Sequence, residues 1–158
     1  MNNEELKTKI TELIPAATFE ESGEWINMNI ESKNWLPVAQ KIRNDETIFF
    51  NYLFCVTCID WSKTPVGKTH LTLVYHLSST IHRNTLVIRT KLDFNNPEIE
   101  SVSHIWKTAE FHEREVYEMF GVNFLNHPDL RLLILPDGWE GRNPMRKDFE
   151  DPINMIKL

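Results

Sequence analysis

A chain of 158 residues with 41% apolar side chains is long enough for one domain with a real core and short for two. Its 17 Lys and Arg against 23 Asp and Glu leave a net charge of −6, which argues against a nucleic-acid partner, since such proteins present a basic face. The longest apolar stretch, IFFNYLFCVTCIDW, is interrupted by Asn51 and closes at Asp60, short of the roughly 20 residues a membrane helix needs.

The opening, MNNEELKTKITELIP, lacks the cationic start and apolar run of a signal peptide. The expectation is a soluble cytoplasmic chain whose membrane link, if it has one, comes through a partner. Leu6, Ile10, Leu13 and Ile14 recur at helical spacing and predict a helix over residues 3–14, ended by Pro15. TFEESGEWINMNIES reads as two short strands around Gly23. NWLPVAQKIRND predicts a second helix, with Asn34 as its N-cap and Pro37 in its first turn. ETIFFNYL is expected to open as a short helix before the strand FCVTCIDW.

The clearest local signal is a hairpin. Leu71, Leu73, Tyr75 and Leu77 alternate with His70, Thr72, Val74 and His76, and after Ser78-Ser79-Thr80 the pattern resumes with Leu86, Ile88 and Leu92. SVSHIWKTAEFHEREVYEMFG is helical by period, with Gly121 as its stop. The fold class is therefore α+β: a mixed or antiparallel sheet with flanking helices over 1–121, then an extended arm over 122–158.

That arm holds four of the eight prolines and no periodicity beyond LRLLIL. It also carries Phe124, Leu130, Leu132, Leu133, Ile134, Leu135, Trp139, Met145, Phe149, Ile153 and Ile156, which a disordered tail would lack. A long structureless segment inside a compact domain is unusual. Both facts are met if the arm is ordered by lying on another protein. Its cations Arg131, Arg142, Arg146 and Lys147 are interleaved with Asp137, Glu140, Asp148, Glu150 and Asp151, which favours specific ion pairs to a partner over a phosphate site.

Chemistry finds little to work with. Cys55 and Cys58 have the CxxC spacing of a redox pair or of half a zinc site, but no second cysteine pair exists to complete a tetrahedral zinc. They lie in strand-like composition, where residues three apart face opposite sides, so buried small side chains are expected. HEREV begins like a zinc-protease HExxH helix, but Val116 stands where the second histidine belongs, which leaves His112, Glu113 and Glu115 weak ligands. Neither GxGxxG, GxxxxGK[ST] nor GxSxG occurs, and Asp60 and His76 stand alone. On a helix, Glu110–Arg114 and Arg114–Glu118 are one-turn pairs. The plain expectation is a solvated face, at about 0.2–0.5 kcal/mol per pair. Against it, Phe111, Tyr117 and Met119 widen the apolar area beyond what a one-sided helix needs, with Ala109, Val116 and Phe120 inward. That favours an interface helix whose charges are paired.

EREVYEMFGVNFLNHPDLRLLILPDGWEGRNPMRKDF resembles the C-terminal signature of the 30-kDa (C-type) subunit of respiratory complex I, the proton-pumping NADH:quinone oxidoreductase. The family pattern runs ERE, two residues, an acid, two apolar residues, six more, His, three more, a basic residue. Glu113, Arg114, Glu115, Glu118, Met119, Phe120, His127 and Arg131 fall on it in register. Trp139, Gly141, Arg146, Lys147 and Asp148 match a following Trp-x-Gly and Arg-Lys-Asp. The likeness spans roughly residues 53 to 150. Asn126 replaces a usual glycine, Leu132 a frequent second arginine, and Arg142-Asn143 stand where the family commonly has one residue.

The resemblance implies an α+β domain in the peripheral arm of the complex, on the cytoplasmic side of the membrane, with its C-terminal segment laid over the 49-kDa-type (D-type) subunit and adjacent cluster-bearing subunits. It implies no catalytic residue, cofactor or metal in this chain; NADH, FMN, iron–sulfur clusters and quinone belong to partner subunits. The task implied is a scaffold bracing the subunits that pass electrons to quinone. The partner-binding candidates are Glu113, Arg114, Glu115, Tyr117, Phe120, His127, Arg131, Trp139, Arg142, Arg146, Lys147 and Asp148. Two rivals are the equivalent subunit of a membrane-bound hydrogenase or ferredoxin-linked dehydrogenase, and a free-standing thiol-redox or metal enzyme using Cys55, Cys58 and His112.

Overall fold

The computed structural model describes residues 2–21, 23–63 and 69–151, so the expected anchors Ile153 and Ile156 lie outside the described residues. Helix α1 spans Asn3–Leu13, opened by a capping box in which the Asn2 side chain and Glu5 exchange bonds. Leu6 and Ile10, one turn apart, are wholly buried. Strands β1, Thr18–Glu20, and β2, Ile26–Asn29, form the expected pair around Gly23. A short 3-10 turn at Ser32–Asn34 leads into α2, Trp35–Asn44, which buries Trp35, Val38, Ala39 and Ile42 at helical spacing. Asn34 holds the N-cap position but makes no side-chain capping bond.

No helix forms over 46–50. The Asp45 carboxylate accepts from the Thr47 amide and hydroxyl and the Ile48 amide, which ties the chain into a turn before β3, Tyr52–Asp60. The expected hairpin is β4, His70–Ser78, against β5, Thr85–Asp93, in unbroken register. Strand order is β1-β2-β5-β4-β3, mixed, because β2 runs parallel to β5 and the other pairs are antiparallel. The Trp35 ring meets Tyr75 at 4.3 Å and Trp106 at 6.4 Å within a core that all three α-helices share.

The helical pattern expected from Ser101 is realised only as α3, Ala109–Phe120. Residues 101–108 are turns, held by the Trp106 indole on the Phe50 carbonyl and the Thr108 hydroxyl on the Leu53 carbonyl. Gly121 ends α3 at φ +76°, in the left-handed region. β6, Glu98–Glu100, and β7, Asn123–Leu125, then pair in parallel. The expected break at 121/122 cuts this unit, since Val122 and Phe124 belong to the core. Among the described residues, helix and strand end at Leu125. From 125 to 151 no described residue is buried as a whole, although the side chain of His127 is fully covered.

Candidate functional site

The outward charge ladder on α3 does not form. Glu113, Arg114 and Glu118 are 0%, 7% and 1% exposed, and each turns to main chain instead. Glu110 pairs with Lys107, and Arg114 donates to the carbonyls of Arg131 at 3.0 Å and Leu132 at 2.7 Å. The Glu118 carboxylate accepts from the consecutive amides of Leu133, Ile134 and Leu135, at 2.8 to 3.2 Å. A strap with no regular structure has amides and carbonyls that must be satisfied. α3 supplies both kinds of partner, one helical turn apart, and clamps residues 131–135 along its flank.

Further points hold the strap on either side. The His127 ring, wholly buried, accepts the Asp129 amide at Nδ1, so Nε2 carries the proton and donates to the Glu110 carbonyl at 3.0 Å. Met145 donates its amide to the Met119 carbonyl, and the Lys147 amide donates to Asp60 Oδ2 at 2.8 Å. Burial acts to raise the Asp60 pKa, yet the bonds from Ser62 and Lys147 outweigh it and hold the carboxyl below its ordinary value. The Arg146 guanidinium lies 4.0 Å over the Phe94 ring and bonds the Phe94 carbonyl and Asp148. The Asn143 side chain packs on Gly121, where an added Cβ would sit 2.7 Å from its Nδ2.

The twelve candidates therefore divide. Glu113, Arg114, Phe120 and His127 face inward; Arg114 and His127 bond the chain's own strap to α3, Glu113 lies beside His127, and Phe120 belongs to the core. Arg131 pairs with Asp129, and Arg146 with Asp148, within the strap. Arg142 stacks on Trp139 at 4.8 Å, and Trp139 packs against Phe149. Tyr117 is half-buried, while Glu115, Arg142 and Lys147 reach solvent. The apolar groups most open to solvent on this side are Phe111 at 56%, Ile134 at 61%, Met145 at 59% and Leu133 at 38%. Sequence reasoning left Glu118 and Asp60 out of the site. For Glu118 a signal existed: it stands one turn beyond Arg114 on the same helix flank. Asp60 takes its strap amide from 87 residues away, which no local pattern marks.

The cysteines are placed against nucleophilic use. Burial raises the Cys58 thiol pKa to about 12, and burial and Glu115 raise that of Cys55. Cys55 is only half-buried, a departure from the expected burial, at an irregularity where β3 slips register on β4. Among the described residues no three His, Cys, Asp or Glu side chains gather into a group able to hold a metal ion. Nor is any described helix long and apolar enough to cross a membrane.

Known proteins are similar to this chain in sequence and fold. The family model described as respiratory-chain NADH dehydrogenase, 30 Kd subunit, matches residues 28–153. The C-type subunit of an NADH-quinone oxidoreductase from Chloroherpeton thalassium is 37% identical over 117 residues, 73% of this chain and 46% of that protein. A combined C/D-type subunit of the same kind of enzyme from Phocaeicola vulgatus is 42% identical over 109 residues, 68% of this chain and 20% of that protein. The C-type subunit of an F(420)H(2) dehydrogenase from Methanosarcina mazei is 40% identical over 101 residues, 64% of this chain and 61% of that protein. This chain thus spans less than two thirds of each of these three relatives. Among solved structures, a chain of an archaeal membrane-bound sulfane sulfur reductase superposes with a TM-score of 0.80 at 26% identity, covering 93% of this chain and 85% of that one. A trypsin-resistant fragment of Nqo5 gives a TM-score of 0.68 at 23% identity over 82% of this chain and all of the fragment, a likeness of fold. With a family model spanning most of its length, α+β core and strap together, the chain belongs to the 30-kDa subunit family of respiratory-chain NADH dehydrogenase.

Proposed function

We propose that this chain is a non-catalytic scaffold subunit in the peripheral arm of a proton-translocating NADH:quinone oxidoreductase, bracing the subunits that carry electrons to quinone. One observation carries the reading. Residues 126–151 have no helix or strand and no residue buried as a whole, yet α3 and β3 pin them by main-chain bonds. A strap fixed in this way presents Leu133, Ile134 and Met145 without further ordering, as α3 presents Phe111, which lowers the entropy lost on association. Exposed apolar side chains on this scale suit a protein partner better than a substrate. In this reading Glu115, Tyr117, Trp139, Arg142 and Lys147 meet the partner directly. Glu113, Arg114, Phe120, His127, Arg131, Arg146 and Asp148 shape the strap that does so.

The partner proposed is the 49-kDa-type (D-type) subunit, with adjacent cluster-bearing subunits. The Phocaeicola vulgatus relative carries the C and D designations on one polypeptide, which supports nearness of the two. NADH, flavin, iron–sulfur clusters and quinone would be held by those neighbours, and the membrane reached through them on the cytoplasmic side. The 40% identity to an F(420)H(2) dehydrogenase component supports a second reading, the same scaffold in a machine with another electron donor. Affinity purification of the tagged chain from its native membranes tests both. Recovery of a D-type subunit together with an NADH-oxidising flavoprotein is expected. A D-type subunit recovered with a different donor module favours the second reading, and recovery of the chain alone overturns both.

A further inference from the structure

Glu113 is a carboxyl at zero exposure, and among the described residues no Lys or Arg lies within ion-pair distance of it. Its Oε2 accepts the Ser101 hydroxyl at 2.6 Å and its Oε1 the Val102 amide at 2.9 Å. Ser101 is bonded in turn to Ser103. On its open side lies the imidazole of His127, also at zero exposure, with Nε2 3.8 Å from Oε2. That ring is the first side chain of the strap to settle on α3, and it carries the turn into Asp129 and Arg131. The strap is therefore part of the lid that keeps water from the carboxyl.

We propose that Glu113 is a proton-controlled latch for the strap: with the carboxyl protonated, residues 126–135 stay on α3, and ionisation loosens them. The physical cause is desolvation. A carboxylate under the His127 ring has two hydrogen-bond donors and no Lys or Arg against it, whereas lifting the strap lets water reach it. Burial accordingly raises its pKa to about 7, against the bonds from Ser101 and Val102, which act to lower it. By linkage, docking tightens as pH falls through the docked value and is weakest above it.

The other groups facing this site act differently. The buried Tyr75 hydroxyl is pushed far above its ordinary pKa by burial and by Glu113, so it stays neutral. Glu110 faces the ring only through its carbonyl, its carboxylate being held by Lys107. Asp129 offers its amide and pairs its carboxylate with Arg131. His127 faces the carboxyl through Nε2, while its Nδ1 is occupied by the Asp129 amide. The latch concerns the chain itself and goes beyond the bracing role, which neither supports nor requires it.

Hydrogen-exchange protection factors of the Leu133, Ile134 and Leu135 amides in the full chain, compared at pH 6.0 and 8.5, test it. The β4–β5 amides serve as the internal reference. Protection of the strap is expected to be about tenfold higher at pH 6.0, the change one proton gives across a pKa near 7. Glu113→Gln should abolish that difference and keep the strap protected at both values. Equal protection in the wild-type chain, or protection that falls towards pH 6.0, overturns the latch; so does a pH dependence that survives in a folded Glu113→Gln. Should that variant not fold, a carbon-13 titration of Glu113 in the wild-type chain, tracked against strap protection, decides by whether the two midpoints coincide.

Discussion

Glu113 and Arg114 are adjacent in sequence and buried together, yet burial makes opposite demands on them. The folded pKa of Glu113, raised by burial to about 7, stands above its ordinary 4.5. Stability from this group is full below the unfolded value and is lost as pH rises through 7. Over that window the loss is on the order of 3 kcal/mol. Glu113→Gln keeps an acceptor for the Val102 amide and has no charge to bury. Urea unfolding should therefore show the variant gaining on the wild type from pH 5 to pH 8. A constant difference between the two would contradict that account. The Arg114 guanidinium is held by two carbonyls of the strap. Hydrogen bonds to a charged group contribute about 1.5–3 kcal/mol each. In Arg114→Ala the strap amides 131–135 should exchange at least tenfold faster, a change of about 1.4 kcal/mol. The β4–β5 hairpin should hold its protection, and yield of the assembled complex should fall. A hairpin that opens equally would show Arg114 to be a core residue rather than a clamp.

α3 was readable in part from its own sequence, and what was hidden is non-local. Ala109, Val116 and Phe120 face inward as their spacing demands. The period also runs back to Ser101, where the helix does not form, because Ser101 and Val102 bond Glu113 and the Trp106 indole reaches back 56 residues to Phe50. The β4–β5 hairpin was readable because its partners are near in the chain. The parallel pairing of Ile26 with Leu86 and of Ile99 with Phe124 was not, since nothing in a strand's own pattern names a distant partner. Charges misled most: Glu110, Arg114 and Glu118 have the spacing of a solvated ladder, but Arg114 and Glu118 satisfy a strap instead. The stop of α3 carries its own test. Gly121 combines a left-handed φ with Asn143 packed against its Cα. Gly121→Ala should cost about 1–2 kcal/mol from backbone strain alone, with more from displacement of Asn143. Chemical denaturation measures it, and a neutral result would mean that strap and cap move apart freely.

At the scale of the whole molecule, the chain divides into a packed core and a strap held on it chiefly by main-chain bonds and by a few side chains such as His127 and Arg146. Main-chain groups of residues 131–135 end on α3, while Leu133 and Ile134 keep 38% and 61% of their surface open to solvent. The expectation that the arm is ordered by lying on another protein thus needs revision: the main-chain groups of 131–135 are met within the chain, while Ile134 and Met145 stay largely exposed. Main chain and exposed side chains can be separated. Leu133→Asp with Ile134→Asp alters two exposed side chains and leaves both amides free to donate to Glu118. Exposed substitutions typically change stability by within about 0.5 kcal/mol, so the melting temperature of the isolated chain should move by no more than about 4 °C. Recovery of the D-type subunit with the tagged double variant should drop at least tenfold, because two carboxylates would have to be desolvated in an apolar contact. Full recovery would place the interface elsewhere on the chain and remove Leu133 and Ile134 from it. A large fall in melting temperature would show instead that these side chains serve the fold.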